Sequence, residues 1–189
     1  MKETEITVEV FEDFESLKRK LISLGFDMTE EVDMQDFYVS GKTMIELQKC
    51  NYLELINNSF LLRNIRDNTE IIFKKKELDK NGDVIAEEKY HCGVNNLEDA
   101  LKVFKMSNLN VWCELKQHMS VFKREDMTFL VQQVDGLGTF IEYEEDESMI
   151  GLTSEEKIQT MLTKLNQLGL NVGKDFNCKK VWLKFKKID

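Results

Sequence analysis

The chain begins by alternating. Ile6, Val8 and Val10 fall on one side of an extended segment, and Glu3, Glu5, Thr7 and Glu9 fall on the other. That period of two predicts a strand with an apolar and an acidic face. The period then changes: Phe14, Leu17, Leu21 and Leu24 recur at helical spacing, with Asp13 as N-cap and Gly25 as stop. A strand is expected around Asp36–Val39, followed by a less regular stretch to about Asn58. Thr69–Leu78 and Asp83–Cys92 are two alternating runs joined by Asp79-Lys80-Asn81-Gly82, where Asn-Gly is the chemistry of a tight hairpin. Asn96 caps a short helix carrying Leu97, Leu101 and Phe104. Three further strands are expected at Val111–Lys116, Met127–Val134 and Thr139–Tyr143, with Asp135-Gly136-Leu137-Gly138 as the turn between the last two. The capping box Thr153-x-x-Glu156 opens a helix with Ile158, Leu162 and Leu165 on one stripe and Gly169 as its stop. Val181, Leu183 and Phe185 alternate with lysines and predict one final strand.

The sum is about eight strands and three helices, with strands in hairpin-like succession, which favours an antiparallel α+β architecture over a parallel sheet. There is no repeat, low-complexity tract or Gly/Ser linker, so residues 1–189 read as a single domain. That length supports one core and argues against a two-domain enzyme. With 42% hydrophobic and 32% charged residues the balance is that of a globular chain. No apolar run approaches the ~20 residues of a membrane helix, so no membrane association is expected. Met1 leads directly into Lys2, Glu3 and Glu5 without an apolar stretch, so a cytoplasmic location is expected.

The net charge of −9, from 35 acids against 26 bases, argues against nucleic acid as a partner, because counterion release needs a basic surface. It leaves a local basic cavity open. Cys50, Cys92, Cys113 and Cys178 form no C-x-x-C pair, and His91 and His118 are the only histidines, so reduced structural thiols are expected rather than a zinc site. His91 and Cys92 are neighbours and would point to opposite faces of a strand, which disfavours a nucleophile pair. The chain contains no proline, consistent with strands that keep every ladder donor.

Strand after strand pairs an apolar face with a charged one. The charge is acidic at the first strand and at Glu142 and Glu144, and basic at Arg63, Arg66, Lys74, Lys76 and Lys116. The plain reading is a set of solvated sheet faces. The other is a sheet curled into a barrel, with the charged faces lining a polar lumen and the apolar faces covered by helices. Acids and bases sharing one lumen suit a metal-bound polyphosphate.

Val134-Asp135-Gly136-Leu137-Gly138-Thr139-Phe140-Ile141-Glu142-Tyr143-Glu144 resembles the late strand-turn-strand of the CYTH superfamily, the class IV adenylate cyclases and thiamine triphosphatases. Around it, the acidic first strand, the helix ending in Leu24-Gly25, Gln35-Asp36-Phe37-Tyr38, Leu62-Arg63-Asn64-Ile65-Arg66 and Ile72-Phe73-Lys74 follow the family's order across nearly the whole chain. The resemblance implies an antiparallel eight-stranded β-barrel, a tunnel with flanking helices. Glu3, Glu5, Glu142 and Glu144 would hold Mg²⁺ or Mn²⁺, and Arg63, Arg66, Lys74 and Lys116 would grip a small-molecule triphosphate. A homodimer is compatible with the family but not required.

The departures from the family pattern are specific. The opening E-x-E-x-K can be laid on Glu3, Glu5, Thr7 or on Glu5, Thr7, Glu9, and both registers lose the lysine. Arg63 and Arg66 are three apart and cannot share one side of a regular strand. His118 stands where an arginine belongs, and Gln132 where an acid precedes the turn. The E-x-E after the hairpin falls somewhere in Glu87-Glu88-Lys89-Tyr90. Two functional expectations follow, a metal-dependent phosphoryl-transfer enzyme of the adenylate cyclase or triphosphatase kind and a tunnel that binds a phosphorylated ligand or anion without turnover. A ligand-free structural domain is the third.

Overall fold

The first residues of the chain make both edges of its sheet. In the computed structural model, which describes residues 2–57, 59–66, 68–80 and 82–188, the N-terminal extended segment is interrupted at Thr4 into β1 (Lys2–Glu3) and β2 (Glu5–Val10). The other strands are β3 (Asp27–Ser40), β4 (Ser59–Ile65), β5 (Asn68–Leu78), β6 (Val84–Val94), β7 (Asn110–Arg124), β8 (Met127–Val134) and β9 (Gly138–Glu144). Their order across the sheet is β1-β6-β5-β4-β3-β7-β8-β9-β2, and every pairing is antiparallel. Since β1 and β2 are consecutive, the sheet curls until its two ends meet in one segment. Eight strand positions surround a tunnel, as expected.

The helices are placed by what their apolar stripes need to bury. α1 (Phe14–Ser23), capped by Asp13, and α5 (Ser154–Gln167), opened by the Thr153/Glu156 capping box, cover the outer face of β2, β8 and β9. Ile6, Val8, Phe129, Val131, Ile141 and Tyr143 meet them there, and Phe129 stacks edge-on against Tyr143 with ring centroids 4.8 Å apart. Each of these fully buried side chains is worth about 1.5–3 kcal/mol relative to exposure. α4 (Leu97–Met106), capped by Asn96, covers Val39 and Leu62 on the opposite outer face.

Three expectations change. The stretch before Asn58 contains two short helices, α2 (Met44–Gln48) and α3 (Tyr52–Ile56), each opened by its own capping box, Thr43/Glu46 and Asn51/Glu54. β3 and β7 extend well beyond the alternating cores that identified them. The final strand expected at Val181–Phe185 is instead a helix, α6 (Lys180–Phe185). Cys178, Val181, Trp182 and Phe185 lie at i, i+3, i+4 and i+7, and Val181 and Phe185 are buried against Trp112 and the end of the tunnel. A strand there would have no edge to join. The free side of β2 is already taken by residues 171–178, through Thr7 N–H to Phe176 O at 3.1 Å and Cys178 N–H to Thr7 O at 3.0 Å. Asn81 of the hairpin turn lies outside the described residues; Gly82 adopts φ 88°, as such a turn requires. No helix among the described residues is long and apolar enough to cross a membrane.

Candidate functional site: a charged tunnel

Strand alternation decides which side chains enter the tunnel. From β2 these are Glu5 and Thr7, and from β9 Glu142 and Glu144. The register sets Glu5 opposite Glu144 and Thr7 opposite Glu142. One carboxylate oxygen from each of Glu5, Glu142 and Glu144 lies within 4.8 Å of the others. Like charges directly opposed destabilise a sheet, so this grouping needs cations.

The neighbouring strands supply them. Lys74 is opposite Lys89 and Lys76 opposite Glu87 across β5 and β6. Glu87, 3% exposed, accepts from Lys76 at 2.8 Å and Lys74 at 3.3 Å, with Lys89 at 3.5 Å. Lys89 also bridges to Glu3 at 2.7 Å and Glu5 at 3.3 Å. Across β3 and β4, the Arg63 guanidinium forks onto Asp36 with two bonds of 2.7 Å. From the end of the tunnel, α6 sends Lys180 to Glu142 at 2.9 Å and to the Gln132 carbonyl oxygen. These side chains enclose a cavity of about 240 Å³.

The titration of these groups follows from burial and neighbours. Burial disfavours charge on Glu87, but Lys74, Lys76 and Lys89 together hold its carboxyl well below the usual range. Burial likewise opposes ionisation of Glu142, and Lys180 and Lys74 outweigh it. Glu144 goes the other way: burial and the adjacent Glu142 push it up to about 7. Lys76 is lowered to about 8 by burial, while Lys89 is raised because Glu5 and Glu87 overcome the same effect.

Of the residues singled out in the sequence, the tunnel brings together Glu5, Glu142, Glu144, Arg63 and Lys74. Glu3 stays off the cavity wall and acts on it through Lys89. Arg66 and Lys116 are not brought in. β4 runs without a bulge and ends at Ile65; Arg66 takes φ 54°, turns away and pairs with Glu30 at 3.0 Å. Lys116 alternates with the inward Leu115, so it faces out and pairs with Glu114 at 3.4 Å. His118 also faces out, edge-on to Phe14 of α1, with Nδ1 2.7 Å from Asp33 and Nε2 2.8 Å from Glu31. Within Glu87-Glu88, Glu87 is the inward residue and Glu88 accepts from the Tyr90 hydroxyl.

Sequence reasoning missed Asp36, Lys89 and Lys180 as site residues. Lys89 shares strand parity with Glu87, so the period of two carried its signal, whereas Asp36 is marked by lying opposite Arg63, which only the β3–β4 register shows. Lys180 carried none, because its approach depends on a helix read as a strand.

No protein-family model matches the chain. A Methanocaldococcus jannaschii protein named "putative adenylate cyclase" is 22% identical over 186 residues, covering 98% of this chain and 99% of its own length. The same fold recurs in solved structures. A conserved hypothetical protein of Pyrococcus furiosus superposes with a TM-score of 0.72 at 18% identity, covering 96% of this chain and 99% of the other. The fold is that of a CYTH-like tunnel. A Hippeastrum "putative adenylyl cyclase", whose structure is described with a dominant triphosphatase activity, superposes on this chain with a TM-score of 0.64 at 12% identity, covering 97% of this chain and 95% of the other.

Proposed function

We propose that the protein is a metal-dependent phosphoryl-transfer protein that takes a nucleoside or organic triphosphate into the tunnel, as an adenylate cyclase or triphosphatase of the CYTH kind. One observation carries the reading. Glu5, Glu142 and Glu144 form a carboxylate cluster inside the same enclosed cavity as Arg63, Lys74, Lys76 and Lys89. The stated names of the Methanocaldococcus and Hippeastrum relatives agree with it.

The donor set fits a hard divalent cation, since all three ligands are carboxylates and no thiolate or imidazole is among them. Glu5, Glu142 and Glu144 would hold Mg²⁺ or Mn²⁺, which neutralises phosphate charge and polarises phosphoryl oxygens when bound. The lysines of β5 and β6 bind phosphate oxygens as point charges, and Arg63 presents a planar fork already oriented by Asp36. Most of these side chains are only partly exposed, which strengthens each of these contacts relative to bulk water. Cyclisation uses the ribose 3′-hydroxyl as nucleophile and hydrolysis uses water; both depend on in-line positioning and charge neutralisation rather than on covalent chemistry by the protein.

A second reading, capture of a phosphorylated ligand without turnover, is favoured by Gln132 and Lys180. Gln132 is neutral, so it can neither bind metal as an anion nor serve as a base, and Lys180 already lies on Glu142. Incubation with ATP, inorganic triphosphate and thiamine triphosphate, each with Mg²⁺ or Mn²⁺, separates the two. Product that disappears in Glu142→Gln supports the enzyme. A rise in melting temperature without product supports the binder, and neither response sinks both.

A further inference from the structure

The acids on the tunnel wall are mostly answered by cations of the chain itself. Asp36 carries the Arg63 fork, and Glu87 carries Lys74, Lys76 and Lys89. Glu5, Glu142 and Glu144 remain as the carboxylates close enough together to share an ion. Glu142 is itself half taken. Its Oε2 accepts from Lys180 Nζ at 2.9 Å and from the Gln132 amide nitrogen at 3.4 Å, whereas its Oε1 accepts no hydrogen bond among the described residues. Sites that use two divalent ions for phosphoryl transfer set them about 3.5–4 Å apart. At that separation a carboxylate between the ions gives one oxygen to each, and here one of the two oxygens is already engaged.

Gln132 and Lys180 act together at this point. Gln132 lines the cavity at 1% exposure and stands where the CYTH pattern carries an acid. Its carbonyl oxygen accepts from Lys180 and its amide nitrogen donates to Glu142, so both charges orient the side chain. An amide in place of a carboxylate removes one negative charge, and the ammonium adds one positive charge. Together they change the site by the same two units that a divalent ion brings. Lys180 is anchored in this place by its helix. It opens α6, whose Val181 and Phe185 are buried and whose Lys184 donates to Asp135 O at 2.7 Å, and its own side chain is 13% exposed.

We propose that the Lys180 ammonium stands in for a second divalent ion: the tunnel takes a single Mg²⁺ or Mn²⁺ on Glu5, Glu142 and Glu144, and Lys180, seated on Gln132 and Glu142 Oε2, is the built-in neighbouring cation. The inference rests on the metal-dependent reading above and fixes its cation count. An ammonium neutralises phosphate charge and donates to a phosphoryl oxygen through a charge-assisted hydrogen bond. It also comes with the chain, so this part of the site is complete without a free cation.

Mn²⁺ binding to the full chain, counted by loss of the free-ion electron paramagnetic resonance signal, tests it without turnover. The parent should bind one Mn²⁺ per chain and show the spectrum of an isolated ion. The double variant Lys180→Gln/Gln132→Glu removes the ammonium and introduces the carboxylate, so it should bind two, with spin coupling between ions about 4 Å apart. Lys180→Arg keeps the charge and should stay at one. Two coupled ions in the parent overturn the substitution and leave the metal-dependent reading standing. The same follows from a double variant that keeps the parent's melting transition and first ion yet takes no second. Absence of any bound Mn²⁺ in the parent overturns both readings. If the double variant fails to fold, the parent's ion count decides alone, one ion supporting the inference and two overturning it.

Discussion

Lys180 Nζ lies 2.9 Å from Glu142 Oε2, so this carboxylate of the cluster already holds a cation belonging to the chain. Both side chains are mostly buried. An ammonium in that place neutralises Glu142 and competes with any divalent ion for it. Lys180→Gln is therefore expected to do two opposite things. Without divalent cation it should lower stability by about 2 kcal/mol, less than a fully buried pair costs because both groups keep some exposure. With Mn²⁺ it should gain more stability than the parent does. Melting curves over a Mn²⁺ titration read both effects, and an identical Mn²⁺ response in the two proteins would remove Lys180 from the competition.

Asp36 is 1% exposed, and its charge is answered by the Arg63 fork. Arg63→Ala strands a carboxylate in the wall and should cost about 3–5 kcal/mol in denaturant unfolding, whereas the double variant Arg63→Ala/Asp36→Asn should recover much of it. Additive costs in the two single variants would show that the pair is not coupled.

His118 titrates between two acids on the outer face. The hydrogen bond to Asp33, then that to Glu31, raises its pKa above 6.5. A base with a raised folded-state pKa contributes stability that is fully present below the unfolded value, pH 6.5, and is lost as pH rises through the higher folded value. The melting temperature should accordingly fall across that window, and His118→Asn should flatten the decline. Because the ring is more than one-third exposed, the effect should be small and should shrink further in salt. A variant with the parent's pH profile would assign the decline to other groups.

The turn before β9 is built for glycine. Gly136 has φ 74°, and a Cβ there would meet Lys184 Nζ at 3.1 Å. That lysine donates to Asp135 O at 2.7 Å, and Lys187 donates to Gly136 O at 2.8 Å, so α6 is clasped to the turn. Gly136→Ala should cost about 1–2 kcal/mol from the left-handed backbone alone. It should also loosen α6, which amide hydrogen exchange in residues 180–185 would report; unchanged exchange there would separate the turn from the helix.

The tunnel was legible in the sequence wherever a period of two ran long enough. Glu5, Glu142 and Glu144 share a lumen because parity alone fixes the side of a strand on which each falls, and the same rule turns Lys116 outward beside Leu115. It already sets Arg66 apart from Arg63, but it does not show that Arg66 leaves the sheet altogether, since nothing local marks Ile65 as the last paired residue. The error at Val181–Phe185 has another cause. Six residues satisfy either period, and the choice depends on whether a sheet edge is free. That edge, β2, lies far away in the chain and is already bonded by residues 171–178, a fact that no local window contains. Lys180, whose direction follows from that choice, was lost with it.

The split at Thr4 also orders events in time. β1 must find β6 and β2 must find β9, so this segment cannot complete its ladder pairing until residue 144 has been made. Pairings this distant in sequence carry a large loop-closure cost and are slow to form. Until they form, β6 and β9 are open edges, each able to recruit a foreign strand. The price of a seamless tunnel is a folding path on which an early-made strand docks late.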